Sequence, residues 1–123
     1  MNILLIEPGK SPVSAEIDHT LSAMQTVVGG LIQAVYPFEE SVALICNEEG
    51  KLLPLLPNRT LRHPETGQIY DVIYGTFFLC SAPHDSENFE SLSPEQITRY
   101  TEYFKCPEFF PGISLSLEVE SWK

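Results

Sequence analysis

The stretch LLPLLPNRTLRH, residues 52–63, constrains the fold more than any other part of this chain. Pro54 and Pro57 split two leucine pairs, and each removes a backbone donor and fixes φ, so the run suits neither a helix nor a central strand. It is also too apolar for a solvated loop. The expectation is a stiff flap laid over a sheet. Leu52, Leu53, Leu55 and Leu56 would form its buried underside, and Asn58, Arg59, Arg62 and His63 its polar end.

A sheet able to carry such a flap is legible downstream. The segment IYDVIYGTFFLC, residues 69–80, reads as one long strand whose period of two sorts residues onto two faces. Ile69, Asp71, Ile73, Gly75, Phe77 and Leu79 share one face; Tyr70, Val72, Tyr74, Thr76, Phe78 and Cys80 share the other. Both are apolar enough to be covered, as in a central strand, and Gly75 marks a bulge or a close backbone approach.

The remaining elements follow from local signals. Asn2 to Ile6 reads as a strand ended by EPGKSP. Ile17, Leu21, Met24 and Val28 recur at helical spacing, and Gly29 and Gly30 supply the stop. LIQAVYPF and SVALICN read as a hairpin, and NEEGK and HPETGQ as turns. Ser93, Pro94 and Gln96 form a helix start with a capping box, followed by a buried stripe of Ile97, Tyr100 and Phe104. ISLSLEVESW alternates Ile113, Leu115, Leu117 and Val119 inward, as a half-exposed strand does. The order β-α-β-β-loop-β-α-β implies a single α+β domain over residues 1–123, with a mixed or mostly antiparallel sheet and two helices packed on one face.

Charge and cysteine usage bound the function. Seventeen acids against seven lysines and arginines give a formal charge of −10, which disfavours direct, sequence-independent binding to nucleic acid. The acids are scattered rather than run together, so a solvated surface and an imitation of DNA phosphates both stay open. Cys46, Cys80 and Cys106 are odd in number and far apart, which suits a reducing, cytoplasmic setting. The first apolar run is too short for a secretory signal, and no run has the length of a membrane span.

No motif supplies a catalytic residue, a metal site or a cofactor. His19, His63 and His84 have no His or Cys at ligand spacing and read as surface residues. Cys46 and Cys80 lie inside strands and read as small core side chains. Lys10 reads as a turn lysine. Asp71 stands out, because alternation sets a carboxylate among Ile69, Ile73 and Phe77, where it needs a partner. Arg59 and Arg62 are the nearest cations upstream. One reading is a structural Asp71–Arg59 pair that pins the flap. The other, compatible with it, is a ligand-binding corner. There Arg59 or Arg62 holds a phosphate or carboxylate, Asn58 and Thr76 add hydrogen bonds, and Tyr70 or Tyr74 stacks on a ring.

At EPGKSP, VVGGLIQAVYPFEESVALICNEEGK, PNR and IYDVIYGTFFLC the chain resembles a family of small uncharacterised proteins from phages and conjugative elements of Gram-positive bacteria, a domain-of-unknown-function family. The resemblance spans residues 3–105 and brings no catalytic residues. It implies a setting, action against host defence by binding a protein or sequestering a small nucleotide signal. The expected function is therefore a non-enzymatic, counter-defence binding protein for a small anionic nucleotide-type ligand, its pocket completed across a homo-oligomer interface. The alternative is an acidic inhibitor, DNA-mimic types included, that binds a host defence protein. An enzyme with dispersed catalytic residues is the third class.

Overall fold

The computed structural model describes residues 1–110, and the strand expected over residues 113–119 lies outside them. Among the described residues seven strands and two helices follow in the order β1 (Asn2–Ile6), β2 (Val13–Glu16), α1 (Leu21–Val28), β3 (Ile32–Val35), β4 (Val42–Asn47), β5 (Pro57–Arg62), β6 (Ile69–Tyr74), β7 (Phe77–Ser81) and α2 (Pro94–Tyr103). Five strands form one sheet in the order β2-β1-β7-β4-β3, and β5 and β6 form a separate two-stranded sheet. All pairings are antiparallel. The α+β class and mostly antiparallel sheet match the sequence reading.

The helices do not share a face. Val42, Leu44, Phe77 and Leu79 of the central strands pack with Tyr100 and Phe104 at α2 and with Leu61 and Ile73 of the small sheet. The alternate residues Ala43, Ile45, Phe78 and Cys80 pack with Met24 and Val28 of α1. The physical reason is that β4 and β7 are apolar on both sides, so each side of the sheet needs its own cover. Burying a leucine- or phenylalanine-sized side chain contributes roughly 1.5–3 kcal/mol, which makes two covered faces better than one.

Three further differences are local. The expected helix starts later, at Leu21. Thr20 caps it by accepting from Ala23 N at 3.1 Å, while the backbone of Ile17 donates to and accepts from Met1 as an extension of β2. In β2 only Ala15 is half-buried, so its hydrophobic signal is weak. The long segment 69–80 breaks at Gly75, where φ is +80°, into β6 of the small sheet and β7 of the large one. The expected close approach is there: a Cβ on Gly75 would lie 2.9 Å from Leu55 Cδ1.

Finally, residues 57–62 form a strand. Pro57 stands at its first position, where a missing N–H is tolerated.

Candidate functional site

The polar end of the leucine–proline stretch is a buried hydrogen-bond node. Asn58 is fully buried and donates from Nδ2 to the carbonyls of Ile6 at 2.9 Å and Gly75 at 2.8 Å, tying β1 to the β6–β7 junction. Its Oδ1 accepts from Arg59 Nη1 at 2.8 Å. Arg59, only 1% exposed, also donates from Nη1 to Asn58 O at 3.2 Å, from Nη2 to Lys10 O at 2.7 Å and Phe104 O at 3.0 Å, and from Nε to Phe104 O at 3.3 Å. A guanidinium carries five N–H donors, and these five bonds engage them all. Burial pulls the Arg59 pKa below its ordinary value, with Glu108 and then Cys106 opposing that effect.

The Asp71–Arg59 pair is absent. Asp71 meets Lys51 in an ion pair and accepts from Val72 N at 2.8 Å. Strand register explains the exchange: Arg59 lies opposite Ile73 and Asp71 opposite Leu61, while the 47–51 turn delivers Lys51 to the Asp71 carboxylate. Asp71 and Tyr74 line a slot of about 160 Å³ with Lys51, Gln33, Cys46 and Asn47. The slot's amide is already used, since Asn47 donates to Val28 O at 3.1 Å and accepts from Glu49 N at 2.8 Å.

The other predicted residues go elsewhere. Thr76 is half-buried at the β6–β7 junction. Tyr70 lies half-exposed on β6 with its ring centroid 4.7 Å from that of His63. Arg62 is exposed and makes long bonds, 3.3 Å to Thr60 Oγ1 and 3.2 Å to Gly67 O. It lines a cleft of about 360 Å³ together with Arg99, Tyr100, Tyr103, Phe38 and Glu40. Thus Asn58 and Arg59 stay together, Asp71 and Tyr74 form a second pair, and Arg62 lines two clefts, one of about 280 Å³ shared with Arg59, Thr60 and Glu108 and the other shared with residues that sequence reasoning did not select. Arg99 and Tyr103 are four apart on α2 and share a helix face, a usable signal, but the surface they meet is set by tertiary packing.

The leucines point outward rather than beneath a flap. Leu52 is 82% exposed, Leu56 64% and Leu53 40%, and only Leu55 turns in, against Gly75. The loop is nevertheless held by backbone bonds: Leu52 N and Leu53 N donate to Glu49 O at 2.9 and 3.1 Å, and Gly75 N donates to Leu56 O at 2.7 Å. Leu31, also exposed, sits at the same end of the molecule, its carbonyl accepting from Glu48 N at 2.8 Å. The outcome is an apolar tip flanked by Glu48 and Glu49.

The thiols divide by position. Cys46 and Cys80 are buried, and burial pushes their pKa values up, to about 11 and about 12, whereas Cys106 is exposed. Among the described residues no three His, Cys, Asp or Glu side chains gather as a metal-holding group, and no helix is long and apolar enough to cross a membrane.

The family model described as Domain of unknown function (DUF3846) matches residues 1–105, so the chain belongs to that family. No curated protein and no solved structure matches it.

Proposed function

We propose that this member of the DUF3846 family is a non-enzymatic binding protein that docks on a protein partner through its leucine–proline loop. The observation that carries this is the exposure of Leu52, Leu53 and Leu56 on a segment stiffened by Pro54 and Pro57. Large apolar side chains grouped on a surface and rimmed by polar residues mark interaction sites, and a loop with little freedom to lose binds at lower entropic cost. Glu48 and Glu49 at the rim, in a chain of net charge −10, favour a partner whose apolar groove is bordered by lysine or arginine.

The likeness to phage and conjugative-element proteins supports a host defence protein as that partner. Three free cysteines support a reducing cytoplasm as the place of action. Binding rather than thiol catalysis is supported by the burial of Cys46 and Cys80. The small-anion corner at Asn58 and Arg59 has less support, because their donors are spent inside the fold.

The test is capture from a lysate of a defence-active host on the immobilised chain, beside the variant Leu52→Asp/Leu56→Asp. A protein held by the parent, lost by the variant and released by salt is the expected result. Equal capture by both sinks the proposal. So does a fall of many degrees in the variant's Tm, which would mean that the leucines are covered within the chain itself.

A further inference from the structure

Two of the chain's seven basic side chains, Arg62 and Arg99, line the same cleft, reached from β5 and from α2. Glu39 and Glu40 line it as well, so the cleft is balanced in charge in a chain whose formal net charge is −10. Arg62 commits one Nε–H and one Nη1–H to long bonds and, among the described residues, leaves the Nη2 side of its planar fork unengaged. Arg99 has its guanidinium carbon 5.4 Å from the Tyr100 ring centroid and donates from Nη2 to Glu40 Oε1 at 2.9 Å. Tyr103, 58% exposed, stands edge-on to Phe38 with centroids 5.6 Å apart, so a braced aromatic surface adjoins the two cations. The cleft volume, about 360 Å³, falls within the range of small-ligand sites.

We infer that this cleft binds a small anion carried on a planar ring, with the arginines taking the anion and Tyr103 stacking on the ring. Planar guanidinium forks match carboxylate and phosphate oxygens, and an aromatic face takes a ring of any substitution pattern. Glu40 has a defined part. Its Oε1 accepts from both Arg99 Nη2 and Tyr100 OH, where a ligand oxygen would otherwise be received. Glu40 is therefore a built-in competitor, and the entering anion replaces its carboxylate on Arg99. This site is separate from the leucine tip, and the two can succeed or fail independently.

The test is calorimetric titration of the full chain with AMP, adenosine and inorganic phosphate. AMP, which carries both parts, is expected to bind at least about tenfold more tightly than either half alone. Arg62→Ala and Arg99→Ala should each weaken AMP binding by about tenfold, and Glu40→Gln should tighten it by about threefold or more. Arg62 is exposed, so its variant should keep the parental Tm and report on binding alone. Tight binding of phosphate with no gain from the ring would assign an anion site only and overturn the aromatic part. No heat with AMP at millimolar concentration, binding indifferent to both arginine variants, or weaker binding by Glu40→Gln would overturn the proposal. The Leu52→Asp/Leu56→Asp variant should bind AMP as the parent does.

Discussion

Arg59 donates twice to the carbonyl of Phe104, from Nε at 3.3 Å and Nη2 at 3.0 Å, and so fastens β5 to the C-terminal end of α2. Its remaining donors reach Lys10 and Asn58, so one buried cation joins three separate segments through neutral oxygens. Arg59→Ala would leave those acceptors buried and unpaired, and should cost about 3–5 kcal/mol in urea unfolding. Arg59→Lys should recover less than half, because an ammonium cannot span acceptors spaced for a planar fork. Arg62→Ala, on the exposed side of the same strand, should stay within about 0.5 kcal/mol of the parent. Near-parental stability of Arg59→Ala would refute the node.

Gly75 carries two separable constraints, a φ of +80° and the 2.9 Å approach that a Cβ would make to Leu55 Cδ1. Gly75→Ala should therefore destabilise by about 1–3 kcal/mol. Adding Leu55→Ala removes the clash but not the backbone strain, so Gly75→Ala should cost less in that background without becoming neutral. Thermal unfolding of the two single variants and the double variant gives the comparison. A Gly75→Ala cost unchanged by Leu55→Ala would show that φ alone matters.

The sequence stated its local features well and its destinations poorly. The α2 capping box, the Gly29 stop of α1, the β3–β4 hairpin and the buried positions of Cys46 and Cys80 rest on neighbouring residues or short periods, and all are present. The split at Gly75 was hidden because apolar alternation runs straight through it. A strand passing from one sheet to another keeps the period of two. Asp71 does meet a cation, but as a partly exposed carboxylate beside an exposed Ile69 and not as one covered among apolar neighbours, and the cation is Lys51, since register and not chain proximity decides who faces whom. Arg59 was unreadable for a different reason. Its partners are mainly main-chain carbonyls, and those carry no side-chain signature.

Ser93 and Gln96 bond reciprocally, Gln96 N donating to Ser93 Oγ at 3.1 Å and Ser93 N to Gln96 Oε1 at 2.9 Å. Ser93→Ala removes the cap acceptor and should cost about 1 kcal/mol. Ser93→Asp restores an acceptor beside the helix N-terminus and should return most of it. Equal loss in both would contradict capping by a side-chain oxygen at this position.

The buried thiols set an alkaline limit on stability. Burial raises Cys80 from an ordinary 9.0 to about 12, and raises Cys46 to about 11, with Asp71 adding to the burial effect there and Lys51 opposing it. Below pH 9 both thiols are protonated in the folded and unfolded chains, and their contribution is complete. Above pH 9 the unfolded chain releases these protons while the folded one retains them. The unfolded state then binds fewer protons, and stability falls with rising pH until the folded values are passed. For Cys80 the slope approaches about 1.4 kcal/mol per pH unit. Denaturant midpoints measured between pH 8 and pH 11 should decline, and Cys80→Ala should flatten that decline, even if the small cavity it leaves lowers the whole curve. The same burial predicts that a disulfide reagent at pH 8 titrates Cys106 quickly and the other two only as fast as the protein opens. Rapid labelling of all three thiols in the native protein would contradict the packing of β4 and β7 from which both expectations derive.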